Sequence, residues 1–159
     1  MGRTSESEKI RGEFVTQMQN FGKTDGFVFK HFKYLEPIDV GFKTFKNKEI
    51  YIAVKGNQFY AVFVKVSAAI KEGFWDLSKK LFDEFQELQD TSPEWHCAIV
   101  FLKSASHGHL LSSNDFREIK PALRLVKGRY KFYGNKIKKF EFLGLDDLIK
   151  GLGLQEKAS

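Results

Sequence analysis

Residues 49–66 read EIYIAVKGNQFYAVFVKV and contain two apolar runs separated by a turn signal. Its first part, Glu49–Lys55, is a short apolar run, and its second part, Phe59–Val66, is another. The Gly56-Asn57 pair between them is typical of a hairpin turn, because both residue types tolerate the backbone angles that tight turns need. The stretch therefore predicts two consecutive antiparallel strands, which argues against an all-parallel doubly wound sheet.

Helices are predicted on both sides of this hairpin. The first is predicted over Ser5–Asn20, where apolar residues recur at helical spacing behind a capping box. A long amphipathic helix is predicted over Gly73–Leu88, because its apolar and charged residues fall on separate faces. A short helix is predicted over Asn114–Ile119 and a last one over Leu145–Leu152.

Further strands complete the predicted order of elements. They are predicted over Gly26–Phe32, Ile38–Phe45, Cys97–Leu102 and Leu110–Leu111, with a strand pair around a turn at Gly134-Asn135. This order of strands and helices predicts an α/β fold in which a mixed sheet is flanked by helices. Without an internal repeat or a low-complexity linker, residues 1–159 are expected to form a single domain.

Positive charge is concentrated near the C-terminus. The chain carries a net charge of +6, yet the segment 120–140 alone carries +8 because it contains no acidic residue. Lys and Arg neutralise phosphates, and interleaved aromatic rings can stack on bases, so the segment predicts nucleic-acid binding. An ordinary solvated strand pair is the alternative. The predicted DNA-binding residues are Lys120, Arg124, Lys127, Arg129, Lys131, Lys136, Lys138 and Lys139.

The composition also bears on compartment and membrane. No window approaches the ~20 apolar residues of a membrane span, and the polar N-terminus does not resemble a secretion signal. The single Cys97 lies in an apolar run and is expected to be a buried thiol in a reducing compartment. We therefore expect a cytoplasmic protein without membrane contact, associated with the nucleoid, or nuclear where the host has a nucleus.

One pair of residues points to phosphodiester chemistry. Asp39 starts one predicted strand, and Lys55 ends the next, sixteen residues later. In a hairpin those two strand ends can meet. A carboxylate can hold Mg²⁺, which polarises a phosphate and activates water, while a nearby Lys offsets the charge of the transition state.

These features resemble the PD-(D/E)xK nuclease superfamily, and within it the archaeal Holliday-junction resolvases. The resemblance rests on an N-terminal helix bearing a Glu, on Pro37-Ile38-Asp39, on the run KNKEIYIAVK at 46–55 and on the tail GLDDLI at 144–149. It covers nearly the whole chain. It implies a restriction-endonuclease-like mixed sheet and a metal-dependent DNA endonuclease of the junction-resolvase type, acting in DNA recombination and repair.

The resemblance also implies roles for particular residues. Asp39 would bind Mg²⁺, for which Mn²⁺ could substitute, and Glu13 would assist, with Glu8 as the alternative. Lys55 would stabilise the phosphate in the transition state. No small-molecule cofactor is expected. A homodimer acting on branched DNA is implied as well, because a four-way junction presents two equivalent strands.

The chain departs from the family pattern at one catalytic position. The Glu of Glu-x-Lys falls at Ala53, which has no metal-binding group. A natural pseudonuclease, a carboxylate moved to a neighbouring strand, or a deliberate replacement would each explain this. The Glu-x-Lys pattern can also be aligned with Phe63-Val64-Lys65. This second register lacks the acid as well, and it lies farther from Asp39 in sequence. We therefore expect a chain that binds DNA but cleaves it poorly.

Two other classes of protein remain open at this point. A non-catalytic nucleic-acid-binding module is the first, and Ala53 favours it. A protein–protein interaction domain is the second. In that class the many aromatic residues would form the interface, and the positive charge would only keep the protein soluble. Salt dependence separates them, because phosphate binding weakens steeply with salt and an apolar interface does not.

Overall fold

The hairpin predicted at Gly56-Asn57 lies inside the large sheet of the protein. In the computed structural model, which describes residues 2–41, 43–46, 49–66 and 74–155, Lys55 pairs with Gln58 across this two-residue turn. Gly56 has a φ of +58°. Glycine adopts this left-handed conformation without the steric cost that a side chain would bring, so the local sequence dictates the turn.

The described part of the chain contains both helices and strands. The α-helices are α1 (Gly2–Asp25), α2 (Lys79–Thr91), α3 (Phe116–Ile119), α4 (Gly134–Ile137) and α5 (Leu145–Leu152). The strands are β1 (Val28–His31), β2 (Ile50–Lys55), β3 (Gln58–Val66), β4 (Phe74–Ser78), β5 (Trp95–Ser104), β6 (His107–Ser112), β7 (Arg124–Val126), β8 (Arg129–Tyr133) and β9 (Glu141–Phe142). No described helix is long and apolar enough to span a membrane.

Six strands form a mixed sheet in the order β1-β2-β3-β5-β6-β9. The strands β3 and β5 run parallel, and the other neighbours are antiparallel. Apolar side chains of α1 and α5 cover one face, and those of α2 cover the other. The predicted α/β architecture, a mixed sheet flanked by helices, is confirmed.

Side-chain alternation along β2 divides the core into two clusters. Ile50 and Ile52 pack with α2, whereas Tyr51 and Ala53 pack with α1 and α5. Cys97 lies in the α2 cluster as the buried thiol that the sequence predicts. Burial raises the pKa of this thiol to about 12, so it stays protonated and unreactive at neutral pH.

A second sheet of three strands, in the order β4-β8-β7, packs against the α2 side of the large sheet. The predicted start of the long helix before Lys79 is wrong, since residues 74–78 are strand β4; Gly73 itself lies outside the described residues. Trp75 and Leu77 are buried, so inward side chains alternate with Asp76. Residues 74–78 pair with β8, which is distant in sequence, and this pairing favours a strand over a helix.

The basic segment folds around a different turn from the predicted one. The hairpin of β7 and β8 turns at Lys127-Gly128, and residues 134–137 form helix α4. Both turn residues have positive φ, at 51° and 77°. This is the backbone twist that two-residue hairpins require, so the prediction of a turn at Gly134-Asn135 was wrong.

The segment that follows β1 also differs from the prediction. Pro37–Val40 is a 3₁₀ helix, ended by Gly41 with a φ of +60°, and strand β2 pairs with β1 and β3. The predicted strand Ile38–Phe45 is therefore wrong over its described residues, because 38–40 are helical and 41 and 43–45 form no strand; Phe42 lies outside the described residues. Proline at the first position fixes φ near the helical value, which favours a helical turn.

Candidate nucleic-acid interface

The outward face of the three-stranded sheet carries a row of charged residues. Tyr130 and Phe132 point into the core, so the alternate positions of β8 point outward. Asp76 and Arg124 lie on the same face, because each is the cross-strand partner of Lys131. We call this surface the basic face; its residues are Asp76, Ser78, Arg124, Val126, Arg129, Lys131 and Tyr133.

Asp76 is surrounded by three cations that come from both sheets. Lys65 and Arg129 contact its Oδ1, and Lys131 Nζ lies 3.5 Å from its Oδ2. Lys65 Nζ also donates to the backbone carbonyl of Asp76 at 2.9 Å. Three cations around one carboxylate leave a net charge of +2, so the basic face stays positive after its internal ion pairs form.

The ionisation of Asp76 reflects these contacts. Partial burial by itself would raise the pKa of Asp76. Hydrogen bonds from Arg129 and Lys65, together with their charges, outweigh that effect and hold the pKa well below its ordinary value. Asp76 is therefore a fixed negative charge, and the cations around it are held in place at every pH near neutrality.

Lys127 stands at the tip of the β7–β8 hairpin. It is exposed, and it is the one described non-glycine residue with a positive φ. An L-amino acid in this conformation carries a steric cost of roughly 1–2 kcal/mol. The turn thus presents a cation to solvent next to the basic face, since it joins the two strands that carry most of that face.

The other predicted DNA-binding residues differ in their partners. Lys120 lies 3.8 Å from Asp83, and Lys139 pairs with Glu118. These carboxylates belong to other elements, so the segment is less positive than its sequence suggests. Four cations of the segment form no ion pair with a described residue and are exposed: Arg124, Lys127, Lys136 and Lys138.

The structure places the predicted Glu-x-Lys position of β2 in apolar surroundings. Ala53 is 0% exposed, and its cross-strand partners are the buried aromatic residues Phe29 and Tyr60. Lys55 Nζ donates to the backbone carbonyl of Leu154 at 2.7 Å. Lys55 therefore has a structural partner, which ties strand β2 to the segment that follows α5.

The two predicted carboxylates are exposed on other elements. Glu13 is exposed on α1, and Asp39 is exposed on the 3₁₀ helix 37–40. Within the described part of the chain, no hydrogen bond or ion pair joins Asp39 to Lys55, and no group of three His, Cys, Asp or Glu side chains could hold a metal ion. With Ala53 lacking an oxygen, these residues as placed do not make a carboxylate cluster for Mg²⁺, and the roles of Asp39 and Glu13 stay predictions.

The second register of the motif ends at Lys65, and the structure gives this residue a defined environment. Phe63 stands at its acid position and pairs across the hairpin with Ile50, and both side chains are buried. Lys65 itself binds Asp76. Sequence reasoning missed Asp76, although one polar residue between the apolar Trp75 and Leu77 is the pattern of a strand with one outward face.

Comparison with known proteins gives a limited result. No protein-family model matches the chain, and none of the curated proteins matches it. Among solved structures, the chain is similar to the 1.6 Å structure of Hjc from Archaeoglobus fulgidus, a Holliday junction resolvase from an archaeal hyperthermophile. The sequence identity is 11% and the TM-score 0.47, over 92% of this chain and 98% of that chain. A similarity this low assigns no function to the chain.

Proposed function

We propose that this chain is a DNA-binding domain that holds the phosphate backbone with its basic face and the neighbouring cations. The observation that carries the proposal is the group of four exposed cations without ion pairs to described residues, Arg124, Lys127, Lys136 and Lys138. Two of them belong to the β7–β8 hairpin, where Arg124 lies opposite Lys131. Asp76 already binds Lys131, so Arg124, which forms no ion pair with a described residue, remains an additional positive charge available to a phosphate.

The basic face also suits contact with a backbone rather than with a small ligand. Its cations are spread over two neighbouring strands and the tip that joins them, and Tyr133 adds an aromatic ring on the same side. Cations that track a backbone, together with aromatic rings that stack on bases, are typical of nucleic-acid surfaces. Branched DNA as the preferred form, and a homodimer as the binding unit, are parts of this proposal that come from the resemblance to resolvases.

A second candidate function is a Mg²⁺-dependent endonuclease of the junction-resolvase type, impaired by Ala53. The observation that favours it is that Ala53 and Lys55 share one face of β2, as the two residues of a Glu-x-Lys pair would. Against it stands the apolar packing around Ala53. We therefore rank binding without efficient cleavage first.

Salt dependence of binding tests the first proposal. Affinity for a labelled duplex and for a four-way junction is measured across KCl concentrations. The triple variant Arg124→Gln, Lys127→Gln, Lys138→Gln is compared with a control that removes the same charge elsewhere, Lys9→Gln, Lys23→Gln, Lys80→Gln; all six residues are exposed. We expect the slope of log K against log[salt] to fall by about 0.9 for each phosphate that the first variant no longer neutralises, and to change little in the control.

Two outcomes would contradict the proposal. Absence of binding at low salt, or an affinity that does not change with salt, would remove the nucleic-acid function. Equal loss of affinity in the triple variant and its control would show that net charge, and not the basic face, attracts the DNA.

A further inference from the structure

A cavity of about 590 Å³ opens between α1 and the strands β1 and β2 and shares no lining residue with the basic face. Its lining combines aromatic rings with cations, among them Lys30, Lys33, Tyr34 and Tyr51. The basic segment contributes no residue to this cavity, and Glu8, the alternative to Glu13, is the one predicted site residue in its lining.

Aromatic rings form an ordered series along one wall. The Tyr51 ring stacks on Phe29 with 5.5 Å between centroids, and His31 meets Tyr51 edge-on at 4.9 Å. His31 also meets Tyr34 edge-on at 6.2 Å. Tyr34 ends the series and is 69% exposed, so a large flat ring stands in solvent at the mouth.

The backbone that carries this exposed ring is a short capped helix. His31 caps the 3₁₀ helix Phe32–Tyr34, because its Nδ1 accepts a hydrogen bond from the backbone N–H of Lys33 at 3.1 Å. Lys33 Nζ lies 4.9 Å from the centroid of the Tyr34 ring. The cap orders the backbone that carries Tyr34, which lowers the entropic cost of stacking a ligand on its ring.

Charge and polar groups complete the cavity. Lys30 and Lys33 are exposed cations of the lining, and Glu8 is the single carboxylate among its residues. Arg11 is engaged deeper in, where it contacts Glu49 at 2.9 Å and donates to the carbonyl of Val64 at 2.9 Å. Gln19 is anchored as well, since its Nε2 donates to the carbonyl of Phe29 at 3.2 Å.

We propose that this cavity binds a nucleotide, with its base against Tyr34 and its phosphate beside Lys30 and Lys33. A flat ring system matches the exposed aromatic face, and an anionic group matches the excess of cations over carboxylates. Gln19 also lines the cavity, and its Oε1 accepts no hydrogen bond from a described residue. The ligand is an unpaired nucleotide within a DNA strand, and in this respect the proposal rests on the proposed DNA-binding function.

The test uses DNA that carries one unpaired 2-aminopurine, a fluorescent base whose emission falls when it stacks. Three probes are compared: this DNA, the fully paired duplex of the same sequence, and free dAMP. The variants are Tyr34→Ala, Tyr34→Phe, which keeps the ring, and Lys30→Gln with Lys33→Gln. The control is Lys23→Gln with Lys80→Gln, which removes the same charge from exposed positions that do not line the cavity.

We expect Tyr34→Ala to weaken binding of the unpaired-base DNA by at least about 5-fold and to reduce the fluorescence quenching, because stacking on an aromatic side chain contributes to affinity. Tyr34→Phe should behave like the unmodified protein. The lysine pair should weaken this binding more than its control does. Binding to the paired duplex should be unchanged in both Tyr34 variants.

Three results would overturn the inference in distinguishable ways. Equal binding of unpaired-base DNA by Tyr34→Ala and the unmodified protein, with duplex binding intact, removes the nucleotide cavity and leaves the proposed function standing. If dAMP binds in a way that depends on Tyr34 while neither DNA binds, the ligand is a free nucleotide, and the proposal that it belongs to a DNA strand is overturned. Absence of binding to all three probes removes both proposals.

Discussion

Lys65, near the end of strand β3, holds Asp76 of strand β4 through both the side-chain carboxylate and the backbone carbonyl. The two strands belong to different sheets, so this pair joins the large sheet to the sheet that carries the basic face. Arg129 and Lys131 share the same carboxylate. Asp76 is thus the common anchor of three cations.

Replacing Asp76 should make the protein less stable, and the loss should depend on pH. Because the pKa of Asp76 is lowered on folding, its stabilisation is fully present above its ordinary pKa of about 3.9 and is lost as the pH falls below that value. We expect Asp76→Asn to lower the free energy of unfolding by about 1–2 kcal/mol at pH 7. Urea unfolding of both proteins between pH 3 and 7 measures this, and a difference that stays constant down to pH 3 would contradict it.

His109 should control stability in a higher pH window. This residue of β6 is 4% exposed, and its Nδ1 has no hydrogen-bond partner among the described residues. Burial, together with a smaller effect of the charge of Lys103, lowers its pKa to about 4. Below its ordinary pKa of about 6.5 the unfolded chain gains a proton that the folded chain does not, so stability falls as the pH drops from about 6.5 towards 4.

The variant His109→Gln separates this effect from the one at Asp76. It cannot take up a proton in this range, so its free energy of unfolding should change by about 2–3 kcal/mol less than that of the unmodified protein between pH 7 and pH 4. Between pH 7 and pH 5, Asp76→Asn should show the same change in the free energy of unfolding as the unmodified protein, because Asp76 does not titrate in this range. Identical pH profiles of His109→Gln and the unmodified protein would show that His109 is not the titrating group.

Lys127 should respond to substitution with opposite changes in stability and DNA affinity. Asn tolerates the positive φ at this hairpin position better than Lys does, so Lys127→Asn should raise the free energy of unfolding by about 0.5–1 kcal/mol. It also removes one cation, and we expect the salt slope of DNA binding to fall by about 0.9. Thermal unfolding and binding titrations measure the two effects.

Lys127→Gln is the matched control for this change. It removes the same charge but keeps a residue that disfavours positive φ, so it should reduce DNA affinity without stabilising the protein. A gain in stability equal to that of Lys127→Asn would show that charge, and not backbone conformation, sets the stability at this turn.

A glutamate at position 53 should be poorly tolerated. Ala53 packs between Phe29 and Tyr60 in the cluster that faces α1, so Ala53→Glu buries a carboxylate in apolar surroundings. We expect a loss of at least about 3 kcal/mol in the free energy of unfolding and a raised pKa for the new carboxyl. The apolar control Ala53→Val should cost less.

The same variant tests the second candidate function. Nicking of duplex and junction DNA is assayed with Mg²⁺ or Mn²⁺ for the unmodified chain, Ala53→Glu, and Ala53→Glu combined with Asp39→Ala. A stable Ala53→Glu protein that cleaves, and loses cleavage with Asp39→Ala, would support the nuclease site. Efficient cleavage by the unmodified chain would show that the missing acid was assigned to the wrong position.

Elements with strong local signals were predicted well. The hairpin of β2 and β3, the helix Leu145–Leu152 and the buried run that contains Cys97 all follow from patterns within a few residues. The 3₁₀ helix at Pro37 and the turn at Lys127-Gly128 were missed, because several turn types compete at similar local cost and distant packing selects among them. The cations of the candidate site could be predicted from the sequence, whereas the carboxylates that pair with them could not.

The mixed α/β architecture, the buried thiol and the excess of positive charge follow from composition and from short-range periodicity. Three features appear only in the folded protein: the pairing of residues 74–78 with β8, the neutralisation of part of the basic segment by Asp76, Asp83 and Glu118, and the hydrogen bond from Lys55 to the carbonyl of Leu154. Each of these depends on groups far apart in sequence. Their contacts form only when the packed sheets bring the groups within reach, so no local pattern encodes them.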